Sequence, residues 1–265
     1  RDAIAKAPSP PSPPTTLEPQ PFRLKSMSSE NLKVLVLIPC YREQGRIGGV
    51  VSETVALGHP VVVVDDGSDD ATSAEAEAAG AKVIRHEVNK GKGPAVATGL
   101  AHAQAGGWDA VVMLDGDGQH LPAEIDRFLD KFREEKPDFI IGTRMADAAK
   151  MPLVRRCTNR FMSWLLSRQL GCRISDTQCG YRLIARRAFP VALDCTSGGF
   201  SAESEILLQL ALRGFTMCEV PVSTVYGTEL GKIRPVRDTL KFIKMLAHFR
   251  KQRRRFRAAA GRPRA

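Results

Sequence analysis

Asp115 and Asp117 carry the clearest chemical signal in the chain. The apolar run Val111-Val112-Met113-Leu114 reads as a buried strand and ends in Asp115-Gly116-Asp117-Gly118-Gln119-His120. Glycines between the polar residues permit a tight turn. Hard cations such as Mg2+ or Mn2+ take oxygen ligands, commonly one or two carboxylates plus substrate phosphates. Asp115, Asp117 and Gln119 therefore read as a metal and diphosphate clamp. The plainer alternative is an acidic turn after a strand. His120 reads as a loop hydrogen-bonder rather than a ligand.

Two further strand ends look alike. Val61-Val62-Val63-Val64 runs into Asp65-Asp66-Gly67-Ser68-Asp69-Asp70. Asp65 can accept from a nucleobase N–H or a ribose hydroxyl, while Ser68, Asp69 or Asp70 caps the next helix. Ile38-Pro39-Cys40-Tyr41-Arg42-Glu43 closes the first strand. Polar ends of several parallel strands meet at the carboxyl edge of the sheet, where open α/β folds bind ligands. Asn89-Lys90-Gly91-Lys92-Gly93 precedes a helix N-terminus and suits a phosphate or sugar hydroxyls, though it lacks P-loop spacing. Cys40 and Cys179 have no nearby His/acid pair in the sequence and read as packing residues.

The elements that must position these residues follow from hydrophobic period. Strands are expected at Lys33–Pro39, Val61–Asp65, Lys82–His86, Ala110–Asp115, Asp138–Gly142 and Met217–Val222. Helices are expected at Arg46–Leu57, Ala71–Ala79, Pro94–Ala105, Pro122–Glu135, residues 152–170 and Ala202–Arg213. Their alternation predicts an α/β fold with a mostly parallel sheet flanked by helices.

Composition sets the limits. The chain has 265 residues, 43% of them apolar, enough for a core. No apolar run reaches the ~18–20 residues of a membrane span, and no secretory signal is visible. Six scattered Cys without a Cys-x-x-Cys pair argue against a zinc site or disulfide framework and fit a reducing, cytoplasmic setting. The net charge of +10 is unevenly placed. Residues 232–265 hold thirteen Lys/Arg and one acid, leaving residues 1–231 at −2. Val236–Phe249 reads as a basic amphipathic helix. With its tail it suits an anionic membrane surface, or nucleic acid through charge alone; a solvated tail is the plainer reading. Residues 1–30 are Pro/Ser-rich and expected to be disordered. Met27 is a plausible start, or the segment is a linker from a longer protein.

Together these residues resemble family-2 glycosyltransferases of the GT-A (Rossmann-like) fold, a single catalytic domain expected over residues 31–235, followed by the basic helix and tail at 236–265. The segments Ile38–Glu43, Val63–Ser68 and Asp115-Gly116-Asp117 match its nucleotide loop, its Val-Asp-Asp-Gly-Ser signature and its metal-binding DxD. Asn89–Gly93, Asp115–His120, Ile141–Arg144, Ser175–Arg182, Glu203-Ser204-Glu205 and Glu219–Val222 look like the polyprenol-phosphate (dolichyl-phosphate) mannosyl/glucosyltransferase branch. Two departures stand out: Gly116 replaces the common Ala, and no transmembrane helix follows the catalytic part.

The resemblance implies an inverting hexosyltransferase moving sugar from a GDP- or UDP-sugar to a polyprenyl phosphate. Pro39, Tyr41, Glu43, Asp65 and Asp115 would hold the nucleotide, with Lys232 and Arg234 closing on the phosphates. Asp115, Asp117 and Gln119 would bind Mg2+ or Mn2+. Arg144, with one or more of Arg155, Arg156 and Arg160, would hold the acceptor phosphate, so Asp115, Asp117 and Arg144 form the expected catalytic set. An ionised lipid phosphate needs no base, whereas a hydroxyl acceptor does. Asp176, Glu203 and Glu205 are the candidate bases. Each also has a structural reading: Asp176 as a partner of Arg182 or a turn residue, the two Glu as favourable openers of a helix. Arg144 could equally form a surface ion pair. The expected location is the inner face of a membrane, reached peripherally through 236–265. Transfer to a glycan or small hydroxyl, and a non-catalytic nucleic-acid-binding role, are the alternatives. No nucleic-acid motif supports the latter, so no specific nucleic acid is expected.

Overall fold

The structure is a computed structural model that describes residues 32–145, 153–170, 173–195, 201–223, 225 and 249. The chain divides into Arg1–Leu32 and a second unit, Lys33–Ala265, which holds the sheet. Strands are β1 (Val34–Cys40), β2 (Val61–Asp65), β3 (Lys82–Arg85), β4 (Ala110–Met113), β5 (Phe139–Thr143), β6 (Arg182–Ala185) and β7 (Met217–Pro221). Helices are α1 (Ile47–Ala56), α2 (Thr72–Ala78), α3 (Lys92–Ala105), α4 (Ile125–Glu135), α5 (Leu153–Leu170), α6 (Phe189–Leu193) and α7 (Ser201–Leu212).

The seven strands form one sheet in the order β3-β2-β1-β4-β6-β5-β7. All run parallel except β6, which pairs antiparallel with both β4 and β5. Strands β1 and β2 are buried along their whole length. That explains their unbroken Val/Leu/Ile runs, since a strand covered on both faces has no polar side. Leu37, Val62, Val64 and Met113 pack with Val96, Leu100 and Ala103 of α3 and with Leu207 and Leu210 of α7. Full burial of each large side chain contributes roughly 1.5–3 kcal/mol. Phe249 also joins this core.

Sequence reasoning missed β6 and α6. Strand β6 is only four residues long and opens on Arg182, a charge where periodicity expects an apolar residue. Its register places Arg182 between Met113 of β4 and Ile141 of β5. Helix α3 begins at Lys92, two residues before the expected Pro94. Pro94 falls in the first turn, where no intrahelical N–H is required. Strand β4 stops at Met113, although the Leu114 N–H still bonds the Leu37 carbonyl at 3.2 Å. Asp115 thus leaves the ladder at the sheet edge.

No helix among the described residues is long and apolar enough to cross a membrane. Residues 1–31, Lys232, Arg234, Val236–Phe249 apart from Phe249, and the tail 250–265 lie outside the described residues.

Candidate active site

The parallel direction of β1, β2, β4 and β5 brings their carboxyl ends to one edge, and the reversed β6 brings its amino end there too. Residues from 40 to 182 in sequence therefore meet across a single crevice.

On the β2 side, Asp66 organises the loop before α3. It accepts from His86 Nδ1 at 2.7 Å, from the Lys90 N–H at 3.0 Å and from the Gly91 N–H at 2.6 Å. His86 reaches on to Thr98 at 2.9 Å. Gly67 has φ +75, and a Cβ there would stand 2.7 Å from the Val88 carbonyl carbon. This turn needs glycine so that the two loops can touch. Asp65 is fully buried. Ser68 N–H and Oγ donate to its Oδ1 at 2.9 and 2.5 Å, and Ser73 Oγ donates to Oδ2. Three of the roughly four acceptor sites of this carboxylate are thus taken within the chain. The N-cap of α2 is Ala71 rather than Ser68, Asp69 or Asp70, though Asp70, one residue earlier, accepts the Thr72 N–H at 3.0 Å. Pro39 is buried within β1, and Tyr41 lies half-buried at its tip. Glu43 pairs with Arg46 at 2.9 Å.

The centre of the crevice is an alternating chain of charges. Lys92 Nζ lies 2.6 Å from Asp115 Oδ1 and 2.7 Å from Glu203 Oε1. Glu203 Oε2 lies 3.1 Å from Arg182 Nη2. Arg182, fully buried, also donates to the carbonyls of Cys179 at 2.8 Å, Thr177 at 3.0 Å and Glu203 at 3.1 Å. Burial opposes ionisation of Asp115, but the Lys92 ammonium and His120 hold its carboxyl far below the ordinary range. Burial likewise opposes charge on Lys92, and Asp115 and Glu203 outweigh it, raising the ammonium well above an ordinary lysine. A Cβ at Gly180 would stand 2.2 Å from Asp115 Oδ2, so residue 180 must be glycine for Asp115 to keep this position. His120 is buried, with Nε2 3.7 Å from Asp115 Oδ2 and its ring 5.2 Å from Tyr181. Its Nδ1 has no hydrogen-bond partner among the described residues.

On the β5 side, Arg144 and Asp176 form a buried bidentate pair. Nε and Nη2 of Arg144 donate to the two carboxylate oxygens at 2.7 and 2.8 Å, and its backbone N–H donates at 3.1 Å. Asn159 of α5 adds a fourth bond at 2.8 Å. Burial works against the Asp176 carboxylate, but these donors hold its pKa below the ordinary value. Two expectations need correction. The partner of Asp176 is Arg144 rather than Arg182, whose carboxylate is Glu203. The Arg144 pair is a buried fork, not a surface contact, because the tip of β5 and α5 enclose it. Glu203 does sit in the first turn of α7, and it also links Lys92 to Arg182.

Other expected residues are not gathered here. Arg160 is exposed on α5 and Arg156 half-buried; the side chain of Arg155 lies outside the described residues. Burial pushes the Cys179 thiol up to about 12 and raises Cys40 further, so both stay protonated. That matches their packing role.

The DxD loop tests the fit of a divalent ion. Asp117 is half-buried at the strand tip, and among the described residues only its Oδ1 is engaged, by the Gln119 N–H at 3.0 Å. Among the described residues no three His, Cys, Asp or Glu converge on one point. The oxygens of Asp115, Asp117 and Gln119 therefore fit an ion completed by substrate phosphates rather than an all-protein cage. The Gln119 carbonyl accepts the Val225 N–H at 3.1 Å, which brings the segment after β7 beside this loop.

Residues 35–191 match the model of glycosyl transferase family 2. The chain belongs to that family. It is 35% identical to the glycosyltransferase AglJ of Haloferax volcanii, over 77% of this chain and 68% of that one. It is 31% identical to an undecaprenyl-phosphate mannosyltransferase of Micrococcus luteus, over 76% and 86%. In fold it resembles glucosyl-3-phosphoglycerate synthase of Mycobacterium tuberculosis, solved with Mn2+, UDP and phosphoglyceric acid. That match has a TM-score of 0.63 at 20% identity and covers 88% of this chain and 80% of that one. The family-2 glycosyltransferase here thus has the expected GT-A sheet with flanking helices. Sequence reasoning did not single out Asp66, His86, Asn159 or the Lys92–Glu203–Arg182 chain. Lys92 had a signal in its Gly-rich stretch, and Asp66 had one as the second acid of its strand tip. Arg182 and Asn159 had none, because their partners lie far away in sequence.

Proposed function

We propose that this glycosyltransferase moves a hexose from a nucleotide-sugar to a polyprenyl phosphate, with inversion and with a divalent metal. One observation carries the choice of acceptor: two of the three carboxylates that could serve as base, Asp176 and Glu203, are already committed. Asp176 is held by Arg144 and Asn159, and Glu203 by Lys92 and Arg182. A hydroxyl acceptor needs a base within hydrogen-bond reach. A phosphate is ionised at neutral pH and needs only positioning. The undecaprenyl-phosphate mannosyltransferase relative supports the same acceptor class.

In this reading an oxygen of the acceptor phosphate attacks the sugar C1. The bond from C1 to the nucleoside diphosphate breaks as the new bond forms, and a single displacement inverts C1. Asp117 and Asp115, with Gln119, would hold the metal and so orient the diphosphate. The ion, when bound, acts as a Lewis acid on the departing diphosphate. Pro39, Tyr41, Glu43 and Asp65 line the nucleoside end, and Lys232 and Arg234 close on the phosphates. Arg144 guides the acceptor phosphate, and residues 236–265 hold the chain at the inner face of an anionic membrane. The test is a donor screen: UDP- and GDP-sugars with Mn2+ or Mg2+ and a short polyprenyl phosphate, read as nucleoside diphosphate release. Release that requires both metal and lipid phosphate supports the reading. Release indifferent to lipid points to a hydroxyl acceptor.

A further inference from the structure

We infer that Glu124 is a positioning residue for the metal loop, acting through the segment after β7 that holds the Gln119 carbonyl. The inference rests on the metal clamp of the proposed function. Glu124 is buried in the single 3-10 turn Pro122–Glu124, just past the DxD loop. Both of its carboxylate oxygens accept the Ser223 N–H, at 3.1 and 3.0 Å. Arg127 Nη1 donates to the same carboxylate at 2.9 Å and to the Pro221 carbonyl at 3.1 Å. One post thus grips the chain at two points as it leaves β7.

The gripped segment reaches the metal loop. The Val225 N–H donates to the Gln119 carbonyl at 3.1 Å, and the Gln119 N–H donates to Asp117 Oδ1 at 3.0 Å. Gln119 is therefore the joint between that segment and the carboxylate that would ligate the ion. The post itself is firm. The Glu124 N–H bonds the Leu121 carbonyl at 3.0 Å, and the same carbonyl accepts the Tyr181 hydroxyl at 3.1 Å. Phe128 stacks on Tyr181 with ring centroids 4.5 Å apart. Without the Glu124 carboxylate, the Val222 N–H keeps its bond to the Thr143 carbonyl on β5. The stretch from Ser223 to Val225 loses its tie, and with it the fixed direction of Gln119. Groups that orient a metal ligand in this way set the affinity of the site without touching the ion.

The test is Mn2+ binding by the full chain, read as loss of the free-ion electron paramagnetic resonance signal. It is run with UDP and with GDP, each against a blank of nucleotide alone. Glu124→Ala should weaken Mn2+ binding roughly tenfold, the loss expected when a group that orients a metal ligand is removed. Glu124→Gln keeps an oxygen for the Ser223 N–H and should bind Mn2+ like the parent chain. Val225→Pro deletes the N–H that reaches Gln119 and leaves Glu124 in place. It should reproduce the loss, and it carries the test if Glu124→Ala does not fold. A clip that serves stability alone lowers Tm and leaves Mn2+ affinity unmoved, and that result overturns the inference. So does Glu124→Gln failing as fully as Glu124→Ala, which assigns the effect to charge. A parent chain that binds no Mn2+ beside either nucleotide overturns the metal clamp and the inference together. Variants that bind as tightly as a binding parent overturn the inference alone.

Discussion

The two halves of the sheet edge are built differently. On the β2-β4 side, each strand runs into acids close together in sequence, and local turns hold two of them: Asp65 through Ser68, Asp117 through Gln119. On the β6-β5 side, the charged groups come from distant segments and are fixed by one another: Arg144 by Asp176, Arg182 by Glu203. Asp117, engaged through Oδ1 alone among the described residues, keeps Oδ2 for a ligand. A buried ion pair holds both partners in a defined geometry. The first half can therefore take up a metal and diphosphate. The second half positions groups and leaves no carboxylate idle.

Substitutions should separate the halves, and the largest contrast lies between Asp117 and Asp176. Asp117→Ala should lower transfer by on the order of 10³-fold, as loss of a group acting on transition-state charge does, with thermal unfolding unchanged. Near-normal turnover would remove Asp117 from the site. Asp176→Ala should behave oppositely, removing the carboxylate that holds the buried Arg144 guanidinium at two of its nitrogens. Chemical denaturation should show a loss of about 3–5 kcal/mol, whereas a loss within the range of an ordinary surface change would mean the pair is not enclosed.

Gly180→Ala lies on the boundary between the halves. The added Cβ must displace the Asp115 carboxylate, so the apparent metal requirement should rise while stability falls by about 1–3 kcal/mol. An unchanged metal titration would show that Asp115 does not contribute. A smaller effect concerns pH. The folded pKa of Asp176 is depressed, so its stabilisation is complete above the unfolded carboxylate value of about 3.9 and is lost as pH falls through the lower folded value. Asp176→Asn should flatten that acid limb relative to the parent chain, and parallel pH profiles would contradict the assignment. Smallest of all, alkylation of the folded chain should modify exposed Cys157 and spare Cys40 and Cys179, as read by mass spectrometry.

The same division explains what was legible in the sequence. Strand-tip motifs are contiguous, so Asp115, Asp117 and Asp65 were found together with the strands that carry them. Ion pairs across the β6-β5 side join residues from 21 to 32 positions apart, and spacing alone cannot pair them. Spacing therefore offers Asp176 the nearer Arg182 as a partner, beside a turn or a catalytic base. The short β6 stayed hidden because its first residue is a charge whose burial is satisfied only by Glu203 and three carbonyls. The helix α5 was visible as a helix, but its division into an Asn159 face and a Trp164 face required the fold.

The most direct measurement is nucleoside diphosphate release by the purified chain with its preferred nucleotide-sugar, with and without a short polyprenyl phosphate, in Mg2+ or Mn2+ and again after chelation. The central claim requires release only when lipid phosphate and metal are both present, with the sugar recovered on the lipid in inverted configuration. Equal release without the lipid phosphate, or undiminished release after chelation, would contradict it.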